Sequence, residues 1–152
     1  MRSNADETID RIREIACSEG DRTARAAAIA EHIRVAGDYR WVGLYDVGPS
    51  LIAAIGWTGS KAPSHPTFPV NQGLNGAALT ACAPIVVQDV RNDSRYLTTF
   101  GSTLAEAIFP VLSPKGQALG TIDVESDRVN AFTAEDEAFL SRCTTVIAGL
   151  WD

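Results

Sequence analysis

Glu106-Ala107-Ile108-Phe109-Pro110-Val111-Leu112-Ser113-Pro114-Lys115-Gly116-Gln117-Ala118-Leu119-Gly120-Thr121-Ile122-Asp123-Val124-Glu125 reads as two strands folded about a turn. Glu106 to Leu112 and Gln117 to Glu125 are of strand length, and Ser113-Pro114-Lys115-Gly116 carries turn chemistry. Side chains alternate along a strand, so Ile122 and Val124 share one face while Thr121, Asp123 and Glu125 share the other. Glu106 has the parity of Ile108 and Pro110. Pairing about the turn brings Glu106, Asp123 and Glu125 to one side of the sheet. Three carboxylates there suit a ligand ammonium or another donor-rich group. A row of acids facing solvent on one side of an antiparallel sheet fits the same parity.

Working outward, Arg40 to Val47 and Leu51 to Trp57 read as a second hairpin joined by Gly48-Pro49-Ser50. Thr58 to Pro69 is rich in Gly, Pro and Ser and is expected to be a long surface loop. Gly73-Leu74-Asn75-Gly76-Ala77-Ala78-Leu79 leads into a short helix of small residues. Ile85-Val86-Val87 is a brief buried strand, and Asp89 to Thr103 is polar and irregular. Two helices precede the first hairpin. One carries Ile9, Ile12 and Ile15; the other carries Ala26, Ile29, Ala30 and Ile33, with Asp21 as its cap and its end near Gly37. The last element is a helix over 133–151, opened by Thr133 with Asp136 in a capping-box arrangement and buried along Phe139, Cys143, Val146, Ile147 and Leu150.

This order predicts one α+β domain over residues 1–152, with N-terminal helices in 1–37, sheet and pocket loops in 38–127 and the closing helix in 133–151. Consecutive hairpins imply an antiparallel sheet with the terminal helices packed on one face. The composition agrees: 152 residues, 45% hydrophobic and 21% charged, are typical of one globular domain. The net charge of -6, with no basic run, argues against nucleic acid and anionic membranes as partners. No signal segment and no span of about 20 apolar residues is present. Cys17, Cys82 and Cys143 form no Cys-x-x-Cys pair and fit a reducing cytoplasm. With His32 and His65 as the only histidines, neither a metal site nor a cofactor is expected.

Several segments, taken in order, carry a family resemblance. They are Arg40-Trp41-Val42-Gly43-Leu44-Tyr45, Gly73-Leu74-Asn75-Gly76-Ala77-Ala78, Val87-Gln88-Asp89-Val90 and Asp93-Ser94-Arg95-Tyr96-Leu97. Gly120-Thr121-Ile122-Asp123-Val124-Glu125-Ser126 and Ala131-Phe132-Thr133-Ala134-Glu135-Asp136-Glu137 complete the set. Over nearly its whole length the chain resembles the GAF domain family, and within it the free methionine-R-sulfoxide reductase branch. The resemblance implies a loop-covered pocket on the sheet face away from the terminal helices. Loops 58–72 and 91–105 would close over it.

By the same resemblance, Glu106, Asp123 and Glu125 anchor a ligand, and Trp41, Tyr45, Asn75 and Tyr96 complete the binding set. Trp57, Phe68 and Phe109 come from elements near that pocket. The branch carries a cysteine inside a Gly-x-Cys-Gly turn, where this chain has Asn75, and another in the loop before Glu106, where Phe100 to Ala105 contains no sulfur. Cys82 has the setting of an ordinary buried thiol, and Cys17 and Cys143 look structural. The expected function is therefore small-molecule binding and sensing without turnover, for an amine-bearing metabolite. The alternatives are a divergent reductase using Cys82 and a dimerisation module with a vestigial pocket. Homodimerisation through the terminal helices is implied by the family likeness.

Overall fold

The computed structural model describes residues 4–98 and 100–152. Residues 1–3 of the N-terminal segment and Thr99 of the second covering loop lie outside the described residues. The helix α1 (Ala5–Cys17) buries Ile9, Ile12, Ile15 and Ala16 and turns its charged residues outward. Helix α2 (Arg22–Gly37) begins where the Asp21 carboxylate accepts from the Ala24 N–H at 2.8 Å, as its cap position predicts. Its stripe of Ala26, Ile29, Ala30 and Ile33 is fully buried. Both helices therefore follow from apolar spacing that finds a partner surface.

That surface is one face of a six-stranded antiparallel sheet in the order β3-β2-β1-β6-β5-β4. The strands are β1 (Trp41–Val47), β2 (Leu51–Thr58), β3 (Thr67–Pro69), β4 (Ile85–Val87), β5 (Ala105–Leu112) and β6 (Ala118–Ser126). β1 and β6 are central neighbours, so the two hairpins read from the sequence meet along Trp41↔Glu125, Gly43↔Asp123 and Tyr45↔Thr121. Val42, Leu44, Ala107, Phe109, Val111, Ile122 and Val124 pack with the helical stripes into one core. Helix α4 (Ala134–Val146) closes that layer with Phe139, Leu140 and Cys143. Its capping box forms as read: Thr133 Oγ1 accepts from the Asp136 N–H while the Asp136 carboxylate accepts from the Thr133 N–H. The closing helix stops at Val146, and a 3-10 turn over Ala148–Trp151 carries the chain on.

Helix α3 (Gly73–Ala81) lies on the opposite face, against β4, β5 and β6. The loop expected over 58–69 contains β3, whose three residues pair Ile52 with Phe68 at the sheet edge. Three residues are too short to show a period, and Pro69 suits an edge position. Between β1 and β2 the register slips at Leu44/Tyr45, leaving Ile55 as the extra residue of a bulge. Among the described residues no helix is long and apolar enough to cross a membrane.

Two contacts fix the helices to the sheet. At Gly56 an added Cβ would lie 2.5 Å from the Ala27 nitrogen and 2.9 Å from the Ala26 carbonyl carbon, so α2 sits directly on the β2 backbone. Arg22 forks onto Asp46 with both contacts at 2.7 Å, Trp151 donates to the same carboxylate at 2.7 Å, and Arg22 lies over the Trp151 ring. Because the obstruction at Gly56 is backbone, no rotamer change relieves it. Gly56→Ala is expected to lower stability by about 1–3 kcal/mol, read as a lower denaturation midpoint with unchanged far-ultraviolet circular dichroism; a variant as stable as the parent would contradict this packing.

Candidate functional site

The polar residues of the α3 face are buried, in contrast to the solvent-facing alternative. Glu106, Asp123 and Glu125 are 3%, 2% and 1% exposed. Glu106 and Glu125 are direct partners in the β5–β6 ladder, and Asp123 stands opposite Ile108, one step along the same face. Like charges opposed across a ladder destabilise it, so the register itself forces these carboxyl groups together. One oxygen from each lies within 4.8 Å of the others.

Among the described residues, Asn75 reaches Asp123 and Thr103 reaches Glu125. Asn75, on the first turn of α3, donates its Nδ2 to Asp123 Oδ2 at 3.1 Å and accepts from Thr121 Oγ1 at 2.6 Å. Thr103 Oγ1 donates to Glu125 Oε1 at 2.7 Å. Asp123 Oδ1 is buried and meets no amide or hydroxyl donor. The oxygen spacing is compatible with a cation, but Asn75 turns its N–H rather than its carbonyl toward Asp123. That arrangement suits a proton or an ammonium group better than a metal ion.

Burial is the main reason the Glu106 carboxyl is raised well above the usual carboxylate range, and the charges of Asp123 and Glu125 push it further. Burial also raises Asp123, to about 6, although hydrogen bonds from Glu106 and Asn75 oppose the shift. The Tyr45 phenol is raised by its burial first, then by Asp123, Glu125 and Glu106. It is therefore a neutral wall of the site.

The cavity beside these groups is lined by Tyr45, His65, Phe68, Gly73, Leu74, Asn75, Leu97, Glu106 and Asp123. It offers about 20 Å³ to a water-sized occupant, room for about one water. His65 Nε2 lies 2.9 Å from the Thr98 carbonyl and joins the two covering loops over the opening. Trp41 does not line the cavity. Its ring nitrogen donates to the Lys61 carbonyl at 3.0 Å and its ring meets Phe100 at 5.4 Å, so it anchors both loops to β1. Gly43 faces Asp123 in the ladder, and the Trp41 and Tyr45 rings occupy the space a Cβ would take there.

The structure thus gathers Tyr45, Asn75, Glu106 and Asp123 around one cavity, with Glu125 beside them. Tyr96 is not among the residues lining the cavity and packs on the cluster of Leu74, Ala78, Val87, Val90 and Ile108. Phe109 faces the helical core, a placement its parity opposite Glu106 already encoded. Cys82, expected to be buried, is exposed at the C-cap of α3, with its thiol 3.7 Å from the Gly116 carbonyl. The cap has a left-handed backbone, with φ at 52°, which turns the chain out of the helix. Cys17 is exposed too, at the last residue of α1. Thr103 and Leu97 are not among the residues expected at the site, and Thr121, which parity places on the face of Asp123 and Glu125, is not counted in the expected binding set either.

Comparison with known proteins agrees with this architecture of an antiparallel sheet carrying helices. The profile of the GAF domain family matches residues 5–151. The chain belongs to the GAF domain family, whose members generally bind small molecules in sensory roles. Protein ZMO0507 of Zymomonas mobilis is 28% identical over 137 residues, covering 90% of this chain and 84% of that protein. Among solved structures, the type II free methionine-R-sulfoxide reductase of Thermoplasma acidophilum matches with a TM-score of 0.79 and 27% identity, covering 91% of this chain and 94% of that one. A GAF sensor protein from Burkholderia vietnamiensis matches at 0.83 with 22% identity, covering 94% and 90%. The fold is thus shared with an enzyme, and function has to be read from the pocket.

The raised carboxyl groups have a consequence for stability. Glu106 and Asp123 bind protons more tightly when folded, so their contribution is complete below the unfolded carboxylate range and is lost as pH rises through the raised values. Glu106→Gln keeps the shape and removes one of these titrations. Its melting temperature relative to the parent is expected to rise as pH increases from about 5 through the raised range of the Glu106 carboxyl; a difference that stays constant with pH would contradict the buried-carboxyl assignment.

Proposed function

We propose that the chain is a sensor-type GAF domain that binds a small, amine-bearing metabolite without turning it over. The observation that carries this reading is Asp123 Oδ1, a buried carboxylate oxygen without an amide or hydroxyl donor, beside Glu106 and above a wall of Tyr45 and Phe68. An ammonium supplies the missing donors, and aromatic and aliphatic walls with a few fixed polar groups are the usual construction of small-ligand sites. A guest of amino-acid size needs more room than the closed cavity gives, so loops 58–72 and 91–105 open around the His65–Thr98 contact. L-methionine, its R-sulfoxide and related amino acids are the first probes. Isothermal titration should show binding that Asp123→Asn weakens by about 1.5–3 kcal/mol, or roughly ten- to a hundredfold. Absence of binding to the whole set would contradict the amine reading.

The likeness to a free methionine-R-sulfoxide reductase, together with Trp41-x-Gly43-x-Tyr45, supports a second reading in which the chain reduces such a substrate. That chemistry requires a thiolate at the reacting sulfur. Asn75 stands where the reductase branch has a cysteine. Cys82 is seven residues further along, roughly 10 Å down the helix axis, and does not line the cavity. A thiol-dependent assay on free methionine-R-sulfoxide is expected to give no turnover. Turnover abolished by Cys82→Ser would overturn the binding-only reading.

A further inference from the structure

The ladder register sets Glu106 opposite Glu125, and Asp123 lies one step away on the same face. All three are at least 97% buried by their exposures of 3%, 2% and 1%. Among the described residues Asn75 donates to Asp123 and Thr103 to Glu125. The single Asn75 amide cannot compensate Glu106 and Asp123 as two ionised carboxylates brought within 4.8 Å, with a third acid beside them, in a space that holds about one water. Among the described residues, the groups facing Glu106 supply no positive charge to do so. From β1 comes the Tyr45 phenol, from β6 the two acids, from β4 the apolar Val87 and from α3 the neutral Asn75 and Leu74. Among the described residues lining the cavity, His65 on the first covering loop is the one cation-capable side chain, and it is engaged at the Thr98 carbonyl.

The geometry points to ligand uptake as an exchange of a proton for an ammonium: the carboxyl proton that Glu106 shares with its acidic neighbours in the empty pocket leaves as the ligand's ammonium arrives. This rests on the amine reading above and adds the charge balance that reading requires. In the empty state Glu106 is the carboxylic acid, donating its O–H to the neighbouring carboxylates. In the filled state the ammonium donates to the Asp123 and Glu106 oxygens, and the displaced proton goes to solvent, so the positive charge at the trio is conserved. The direction of the Glu106 shift agrees with this assignment. Affinity for an amine then increases with pH over the range in which the empty site holds its proton.

Two measurements on the full chain test the exchange. The first needs no ligand: infrared spectra at neutral pH should contain the C=O stretch of a protonated, buried carboxylic acid, absent from Glu106→Gln. Absence of that band from the parent protein overturns the inference while leaving amine binding open. The second is titration of L-methionine in two buffers of different ionisation enthalpy. About one proton should be released per ligand, with affinity rising by up to about tenfold per pH unit. Glu106→Gln should bind with its proton release lost. Binding by the parent with no proton release and the same affinity at every pH overturns the exchange but not the pocket. No binding of methionine or any related amine at any pH overturns both.

Discussion

Glu106 and Glu125 face each other across the β5–β6 ladder, and most of the polar face is arranged around that opposition. Two like charges at such a distance are unfavourable even in water, and burial makes the conflict sharper. The register cannot slip to relieve it. A one-residue shift would send Ile122 and Val124 out of the helical core and the acids into it. The core therefore holds the acids in place, and the acids must find protons, donors or a guest.

The donors that do arrive come from the elements least tied to the main core. Asn75 enters from α3, the single helix on the pocket face, and Thr103 from the segment just before β5. At Gly76 a Cβ would lie 2.7 Å from the Asn71 carbonyl carbon, so the glycine lets the chain entering α3 fold tightly against the helix's first turn. Gln88 performs a comparable task beyond the pocket. Its side-chain amide grips both backbone groups of Phe132 and so links the segment after β4 to the chain entering α4. Tyr39 then donates to Asp136 at 2.8 Å and ties the same helix start to the end of α2.

Much of this was legible in the sequence, and the limits have physical causes. Strand parity placed the three acids together because a period of two survives in β5 and β6, where one face is filled by Ile, Val and Phe. The caps of α2 and α4 were legible because Asp21 and Thr133 act on their own next turn. Parity alone could not tell a buried acidic face from a wet one. The difference lies in α3 and the covering loops, whose docking depends on contacts distant in sequence. β3 was missed for its brevity. Cys82 was misplaced because a left-handed cap, rather than apolar spacing, decides where its thiol points. Trp41 is expected in the binding set; in the structure its ring nitrogen and ring face hold the loops, a placement that the Lys61 and Phe100 contacts disclose and the sequence does not.

The most direct test of the account is a crystal structure of the chain grown with L-methionine. The expected result is the ligand's ammonium nitrogen within hydrogen-bond distance of Asp123 Oδ1 and its side chain against Tyr45 and Phe68, with the His65–Thr98 contact altered to admit it. A ligand seated elsewhere, or one that turns its carboxylate toward Glu106 and Asp123, would contradict the claim that these buried acids exist to receive a positive charge.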